Sequence, residues 1–523
     1  MATKVKKAKK GIESVGRAAR KPTVAASSPT PKGSASSAPL PAAGKSAWTP
    51  LGNEVGIRVR MYRVGFGDFF LVSFLTDAAD PVHIIIDCGV FKGTSQTGDL
   101  GSIDAAVADM AQTTKGKVAL IVVTHRHADH IAGFARCAAT FKALTVQAIW
   151  MSIWESQYAL AVKAQTALTS AAARLQSRFN ALGVTANKDQ ASASNYVGNA
   201  TGVGGGGSNA NALNLLKSGF PGLQPHYYQG GQEPVLPPAF LQAGITAKIL
   251  GPPPIADVQL MQLMDLQKGV DQYLTQSSDT KSESESDAPF GRIWDVNVDR
   301  FYGPEAFQEW WGDRIGHGTP SAKQTNAARR RMEAALDQAQ PDAALVAASK
   351  LNSFLNNQSL VVLFSFKGKN LLFVGDAQAG NWEHWILGTD TPDKTVSGTM
   401  ADSAQKILTS LDFYKVGHHG SGNATPKSVV GMMGKGGRKF AAMCSTQEGV
   451  YGKENLVDPS MGTEVPRIPL LSTLGSIASL VRSDQIEIEV NKKPIPAADP
   501  QPLPAADGGG RFLSGTIWID CYL

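Results

Sequence analysis

The segment Thr124-His125-Arg126-His127-Ala128-Asp129-His130-Ile131-Ala132-Gly133 packs four potential metal ligands into six positions. It follows the apolar run Val118–Thr124 directly, so its donors emerge at the mouth of a buried strand. His125 and His127 can converge on one cation, and Asp129 with His130, one turn onward, can serve a second. Imidazole plus carboxylate suits one or two Zn2+ ions, with Mn2+ or Fe as substitutes. Two further segments have the same form, an apolar strand delivering donors at its C-terminal end. Asn370-Leu-Leu-Phe-Val-Gly-Asp376 ends on Asp376, which could bridge two cations, and Phe413-Tyr-Lys-Val-Gly-His418-His419-Gly-Ser421 ends on a His pair. Alone, a strand-end Asp is an ordinary helix N-cap and a His pair an ordinary solvated turn. Beside the first cluster, the metal reading is favoured.

The elements that must position these donors alternate in type. Ile57–Tyr62, Phe69–Leu75 and His83–Asp87 read as strands, Ile103–Gln112 as a helix, and Val118–Thr124 and Ala148–Trp154 as strands again. Such alternation predicts a layered α/β domain. Two insertions are expected, at about 155–240 and 255–350. The first opens with a long Ala- and Gln-rich helix over Glu155–Phe179, runs into Gly204–Gly207, and gives way to a strand at Ile245–Leu250. The second holds a helix near Ile255–Tyr273, an acidic stretch at Lys281–Asp287, aromatic residues over Tyr302–Trp311 and a helix at Ala327–Leu336. Core strands return at Ser359–Phe366 and Asn370–Val374.

With 523 residues, 43% of them apolar, the chain has ample material for a core. It lacks any uninterrupted apolar run of about 18 residues, which excludes a transmembrane helix. Four scattered cysteines exclude a disulfide scaffold and suit a reducing, cytoplasmic compartment. The net charge of +6 is unevenly spread, because residues 1–50 hold ten bases and one acid and the remainder is slightly acidic. Residues 1–48, rich in Lys, Ala, Ser and Pro, read as a disordered basic tail with nonspecific anion affinity, ahead of one domain over 49–523. No apolar stretch follows the lysines, so the tail is not expected to be a secretory signal.

The three donor segments resemble those of the metallo-β-lactamase superfamily. His125, His127, Asp129 and His130 match its HxHxDH signature, Asp376 its strand-end Asp, and His418–His419 its last metal motif. The nearest subgroup is the ComEC-like hydrolase domain of DNA-uptake competence proteins. Arg63-Val64-Gly65-Phe66-Gly67-Asp68 is similar to that group's DVGQGDA opening, Asn356–Leu360 through Gly375-Asp376 to its NNxSLV…LLxGD, and Val416–Ser421 to its HHGS. Val465-Pro-Arg-Ile-Pro-Leu-Leu is similar to its HPxxxVL segment without the usual His. The resemblance covers about Val55–Leu523 and implies an αββα sandwich with metals at one edge between two sheets. It carries no membrane-channel part. The superfamily's further ligand His, between the first cluster and the bridging Asp, has only His226 and His317 as counterparts, and neither follows a strand in the sequence reading.

The resemblance further implies His419 as the ligand of the doublet and His418 as the group that contacts the scissile bond or protonates the leaving oxygen. Asp129 or Asp376 would orient a water, and Asp87, at the end of its strand, would accept the outer N–H of a ligand His or stabilise a turn. His83 and His384 read as ordinary strand and helix residues, Cys88 and Cys444 as buried small residues. The expectation is a metal-dependent hydrolase acting on a phosphodiester, as a nuclease or small phosphodiesterase. Lactone, thioester or phosphorylcholine-ester hydrolysis is the competing enzyme reading. A binding or scaffold protein, presenting Tyr302, Phe307, Trp310 and Trp311, is the non-catalytic one.

Overall fold

Short β-branched and aromatic runs, alternating in the side they present, become strands, and the apolar stripes between them become helices. The computed structural model describes residues 56–76, 80–91, 101–181, 194, 196–200, 209–256, 341–387, 400–452, 464–484, 489–490, 493–494, 501–502 and 511–523, all within the compact unit Trp48–Leu523. The basic tail, His317, the acidic and aromatic stretches, and the expected helices after Ile255 and at Ala327–Leu336 lie outside the described residues.

The strands are β1 (Ile57–Tyr62), β2 (Phe69–Phe74), β3 (Val82–Cys88), β4 (Lys117–Val123), β5 (Thr145–Ser152), β6 (His226–Tyr228), β7 (Thr246–Gly251), β8 (Val361–Phe366), β9 (Lys369–Phe373), β10 (Phe413–Lys415), β11 (Phe440–Cys444), β12 (Ala478–Arg482), β13 (Glu489–Val490), β14 (Lys493–Pro494), β15 (Gln501–Pro502), β16 (Arg511–Ser514) and β17 (Trp518–Tyr522). They make a mixed α/β fold with two large sheets, ordered β15-β16-β17-β1-β2-β3-β4-β5-β6 and β12-β11-β10-β9-β8-β7, and a ribbon of β13 and β14. Each sheet opens with an antiparallel meander, β1-β2-β3 or β7-β8-β9. Each then turns parallel, through β4 to β6 or β10 to β12.

Strand alternation distributes the core. Ile84, Ile86, Trp150, Val362, Phe364, Leu371, Phe373, Phe413 and Met443 share one apolar cluster fed by both sheets. Their neighbours Ile85, Ile149 and Met151 pack with Ile103, Met110 and Phe134 of the helices Ile103–Thr114 and Ala128–Arg136. Leu363, Leu372, Tyr414 and Ala442 pack with Trp382, Leu408, Val430 and Leu474 of the second half's helices. Burying each such side chain contributes about 1.5–3 kcal/mol, and two-sided burial explains why the parallel strands read as continuous apolar runs.

The first expected insertion needs correction. Its long helix begins at Ala159, not Glu155, after a 3-10 turn over Ile153–Glu155. Glu155 is buried against Arg126 and Lys217, and the extended Ser156 that follows, at φ −74° and ψ 175°, breaks the chain between the turn and the helix. The later part is no appendage: Ala212, Leu215 and Leu216 of the helix Asn209–Ser218 belong to the helix-facing core of the first sheet, and β6 extends that sheet beside β5. The helices Ala159–Ala181 and Pro341–Asn356 share a separate cluster that includes Leu168, Phe179, Leu351 and Phe354. Among the described residues no helix is long and apolar enough to cross a membrane.

Candidate metal centre

The ends of β3 and β4 are joined before any donor is placed. Asp87 adopts a left-handed φ of 53°, and its carboxylate accepts from Thr124 N at 2.8 Å and Thr124 Oγ1 at 2.7 Å. The helix Ala128–Arg136 starts immediately afterwards with His127 as its N-cap residue, which sets Asp129 in the first turn, where the helix dipole favours an anion. A side chain at Gly89 would put a Cβ 2.1 Å from the Asp129 carbonyl carbon, so only glycine permits this approach. Arg126 forms a bidentate pair with the buried Glu155 at 2.7 and 2.8 Å, which Lys217 joins at 3.2 Å. Asn209 Nδ2 donates to the Arg126 carbonyl at 2.8 Å, so the ligand loop is braced from outside as well.

The second half delivers its donors through backbone geometry. The Asp376 amide donates to Ser359 Oγ at 3.0 Å. Gly375 has φ 54°, and a Cβ there would lie 2.7 Å from Thr124 Cβ, which brings the two halves into contact at this point. His418 and His419 are consecutive non-glycine residues at φ 43° and 53°. Such conformations cost about 1–3 kcal/mol each and concentrate at functional sites. His419 Nδ1 donates to the Ser445 carbonyl at 2.8 Å, which turns Nε2 toward Asp129 Oδ2, 3.1 Å away. Phe66, its ring 4.1 Å from the imidazole, packs beside it.

Three donor groups result, all donor atoms of each lying within 4.8 Å of one another and every residue buried. Asp68, Asp87 and His130 form one, on the outer side of His130, where Lys415 already pairs with Asp68. The two that face the centre are Asp129, His130, Asp376 and His419, and His125, His127 and Asp376. Asp376 belongs to both. His130 Nε2 lies 3.1 Å from Asp376 Oδ1, yet neither atom has a hydrogen bond, and the same holds for Asp376 Oδ2, Asp129 Oδ1 and His127 Nε2. Buried polar atoms crowded together without hydrogen bonds are costly unless a cation fills the space. These residues fit a metal ion. His418 stands outside both groups, 3.8 Å from Asp376 Oδ2, and is the more open of the two doublet imidazoles.

Electrostatics separates the groups. Burial depresses His125, and it lowers His127 to about 4, so both imidazoles are neutral at pH 7. Burial also opposes charge on His130, but Asp376, Asp87 and Asp129 raise it well above its ordinary value. His419 is likewise raised, Asp376 and Asp68 outweighing its desolvation. Asp129, which burial alone would raise, is drawn down to about 2 by His130 and His419. Burial lowers His418 despite Asp376, leaving it neutral.

All of His125, His127, Asp129, His130, Asp376 and His419 are thus brought together, with His418 at the border. Asp87 Oδ2 accepts from His130 Nδ1 at 2.7 Å, which orients that ring. His226 opens β6 and is exposed, so the loop expected there is a strand, and this His stands apart from both donor groups. Sequence reasoning gave no role to Lys415 or Asp68. Both are buried, and Lys415 Nζ bonds the Gly375 carbonyl at 2.8 Å and pairs with Asp68. A lone lysine in the apolar run Phe413-Tyr-Lys-Val was the available signal. No family model matches this chain, and no curated protein matches it.

Proposed function

We propose that this protein is a metal-dependent hydrolase of phosphodiesters, built on an αββα sandwich of the metallo-β-lactamase type. The carrying observation is that three strand ends from two sheets converge on two buried donor groups that share one carboxylate, Asp376. His125, His127 and Asp376 would hold one ion; Asp129, His130, Asp376 and His419 the other. Zn2+ suits this imidazole and carboxylate set, and Mn2+ or Fe are substitutes. When bound there, a divalent ion would supply Lewis acidity toward the scissile group and toward water.

The chain's own residues do the rest. Asp87 and Ser445 fix the tautomers of His130 and His419 by accepting their Nδ1 protons. Nδ1 of the neutral His418 accepts from Gln378 Nε2 at 3.2 Å, which leaves the ring proton on Nε2, the nitrogen 3.8 Å from Asp376 Oδ2, to hydrogen-bond the scissile group. Its depressed pKa favours that role over a standing proton donor. The basic residues 1–50 add phosphate affinity for a nucleic-acid substrate.

The test is a substrate panel on metal-reconstituted full-length protein: bis(p-nitrophenyl) phosphate, single-stranded DNA, a lactone and a neutral aryl ester. Turnover of the phosphodiesters that is abolished by chelator and restored by metal is expected. Chelator-sensitive turnover of the lactone alone would replace the phosphodiester assignment. Metal content with no turnover of any substrate would favour a binding protein.

A further inference from the structure

Beneath the two donor groups lies a cation that the chain supplies itself. Lys415, the last residue of β10, is 2% exposed, and its ammonium pairs with Asp68, bonds the Gly375 carbonyl at 2.8 Å and stands 3.7 Å from Asp376 Oδ1. Asp68 in turn faces the outer nitrogens of both ligand histidines that have carboxylate partners, His419 Nδ1 at 3.5 Å and His130 Nδ1 at 3.8 Å. A buried lysine is costly unless it is paired, and a simple ion pair would need only Asp68. This one also reaches the carboxylate that both donor groups share.

We propose that Lys415 is a specificity-determining positioning residue whose fixed charge makes the metal-loaded centre net positive, so that it selects anionic phosphodiesters over neutral esters. The inference rests on the hydrolase reading above. Asp68, Asp87, Asp129 and Asp376 are four buried carboxylates around the centre. Two divalent ions with neutral imidazoles and un-ionised water would balance them, leaving a centre with no net charge to attract an anion. Lys415 tips that balance by one positive unit. A unit charge roughly 8–12 Å from a bound anion, at an effective dielectric near 20, changes its binding on the order of ten- to thirtyfold, whereas an uncharged ester feels little of it.

The experiment uses full-length, metal-reconstituted wild type with Lys415→Met, Asp68→Asn and the double variant, metal content being measured for each. The double variant removes one charge of each sign, so the centre keeps its net charge without its lysine. The readouts are the dissociation constant for inorganic phosphate by calorimetry and the ratio of kcat/KM for bis(p-nitrophenyl) phosphate over p-nitrophenyl acetate. Lys415→Met is expected to weaken phosphate and lower the ratio about tenfold. The double variant should return both toward wild type, and Asp68→Asn should bind phosphate more tightly. An unchanged ratio in Lys415→Met, or a double variant as impaired as the single one, overturns the proposal, because a merely structural lysine would not be rescued by deleting its partner. If Lys415→Met does not fold, Asp68→Asn decides: unchanged or weaker phosphate binding overturns the proposal. If wild type turns over neither substrate, the hydrolase reading fails, while phosphate binding still reports the charge of Lys415.

Discussion

The loop after β4 and the strand ends of β9 and β10 face one another across the centre and carry their donors differently. The loop concentrates His125, His127, Asp129 and His130 in six positions at a helix start, braced by Asp87, Arg126 and Glu155. Among the described residues the second half offers only Asp376 and His419 to the donor groups, aimed by left-handed backbone and a glycine that admits Thr124. A dense loop tolerates the loss of one donor better than a sparse pair does. The asymmetry therefore predicts that the half with fewer ligands is the more critical one.

Asp376→Asn against the pair His125→Ala and His127→Ala is the strongest test of that asymmetry. Because Asp376 serves both groups, its loss should empty both and abolish turnover, whereas the double His variant should retain one equivalent of metal by elemental analysis. Equal residual metal in the two proteins would break the comparison. Within the doublet, His419→Ala should lower metal content and turnover together. His418→Ala should keep its metal and lose about 10²–10³-fold in turnover, the cost of a removed transition-state hydrogen-bond donor, read by steady-state kinetics beside metal content.

The next effect is in pH. His125 and His127 are depressed and already neutral at pH 7, so their group loads without releasing protons. His130 and His419 are raised and protonated, so an ion must displace their protons. Affinity at the second group should therefore fall as pH falls, about tenfold per pH unit for each proton displaced. Calorimetry in buffers of different ionisation enthalpy counts those protons, and equal release at both groups would erase the distinction. Smallest is Gly375→Ala, which combines a left-handed φ with a Cβ close to Thr124. A loss of about 1–3 kcal/mol in denaturant unfolding is expected.

The loop was legible in the sequence because its chemistry is local: four donors after an apolar strand need no tertiary knowledge. Asp376 and His419 were legible only together with that loop, since neither segment is diagnostic alone. The strand assignments for β3, β4, β5, β8 and β9 followed from apolar runs that two-sided burial requires. β6, three residues long, has too little pattern to read, so a loop is expected where His226 opens a strand, while its exposed place away from the donor groups agrees with a histidine that is no ligand. Lys415 and Asp68 escaped because their significance is a contact between β10 and the turn before β2, which spacing cannot reveal.

The edge of β1 has a consequence in time. Its outer neighbour is β17, so Arg60 meets Asp520 across 460 positions of sequence, and Gly56 and Ile57 bond the carbonyl of Leu523. On a ribosome adding about 5–20 residues per second, β1 waits on the order of a minute for that partner. Throughout that interval its backbone edge is open to any extended chain nearby. A nascent protein of this topology therefore depends on whatever shields β1 until β17 is synthesised.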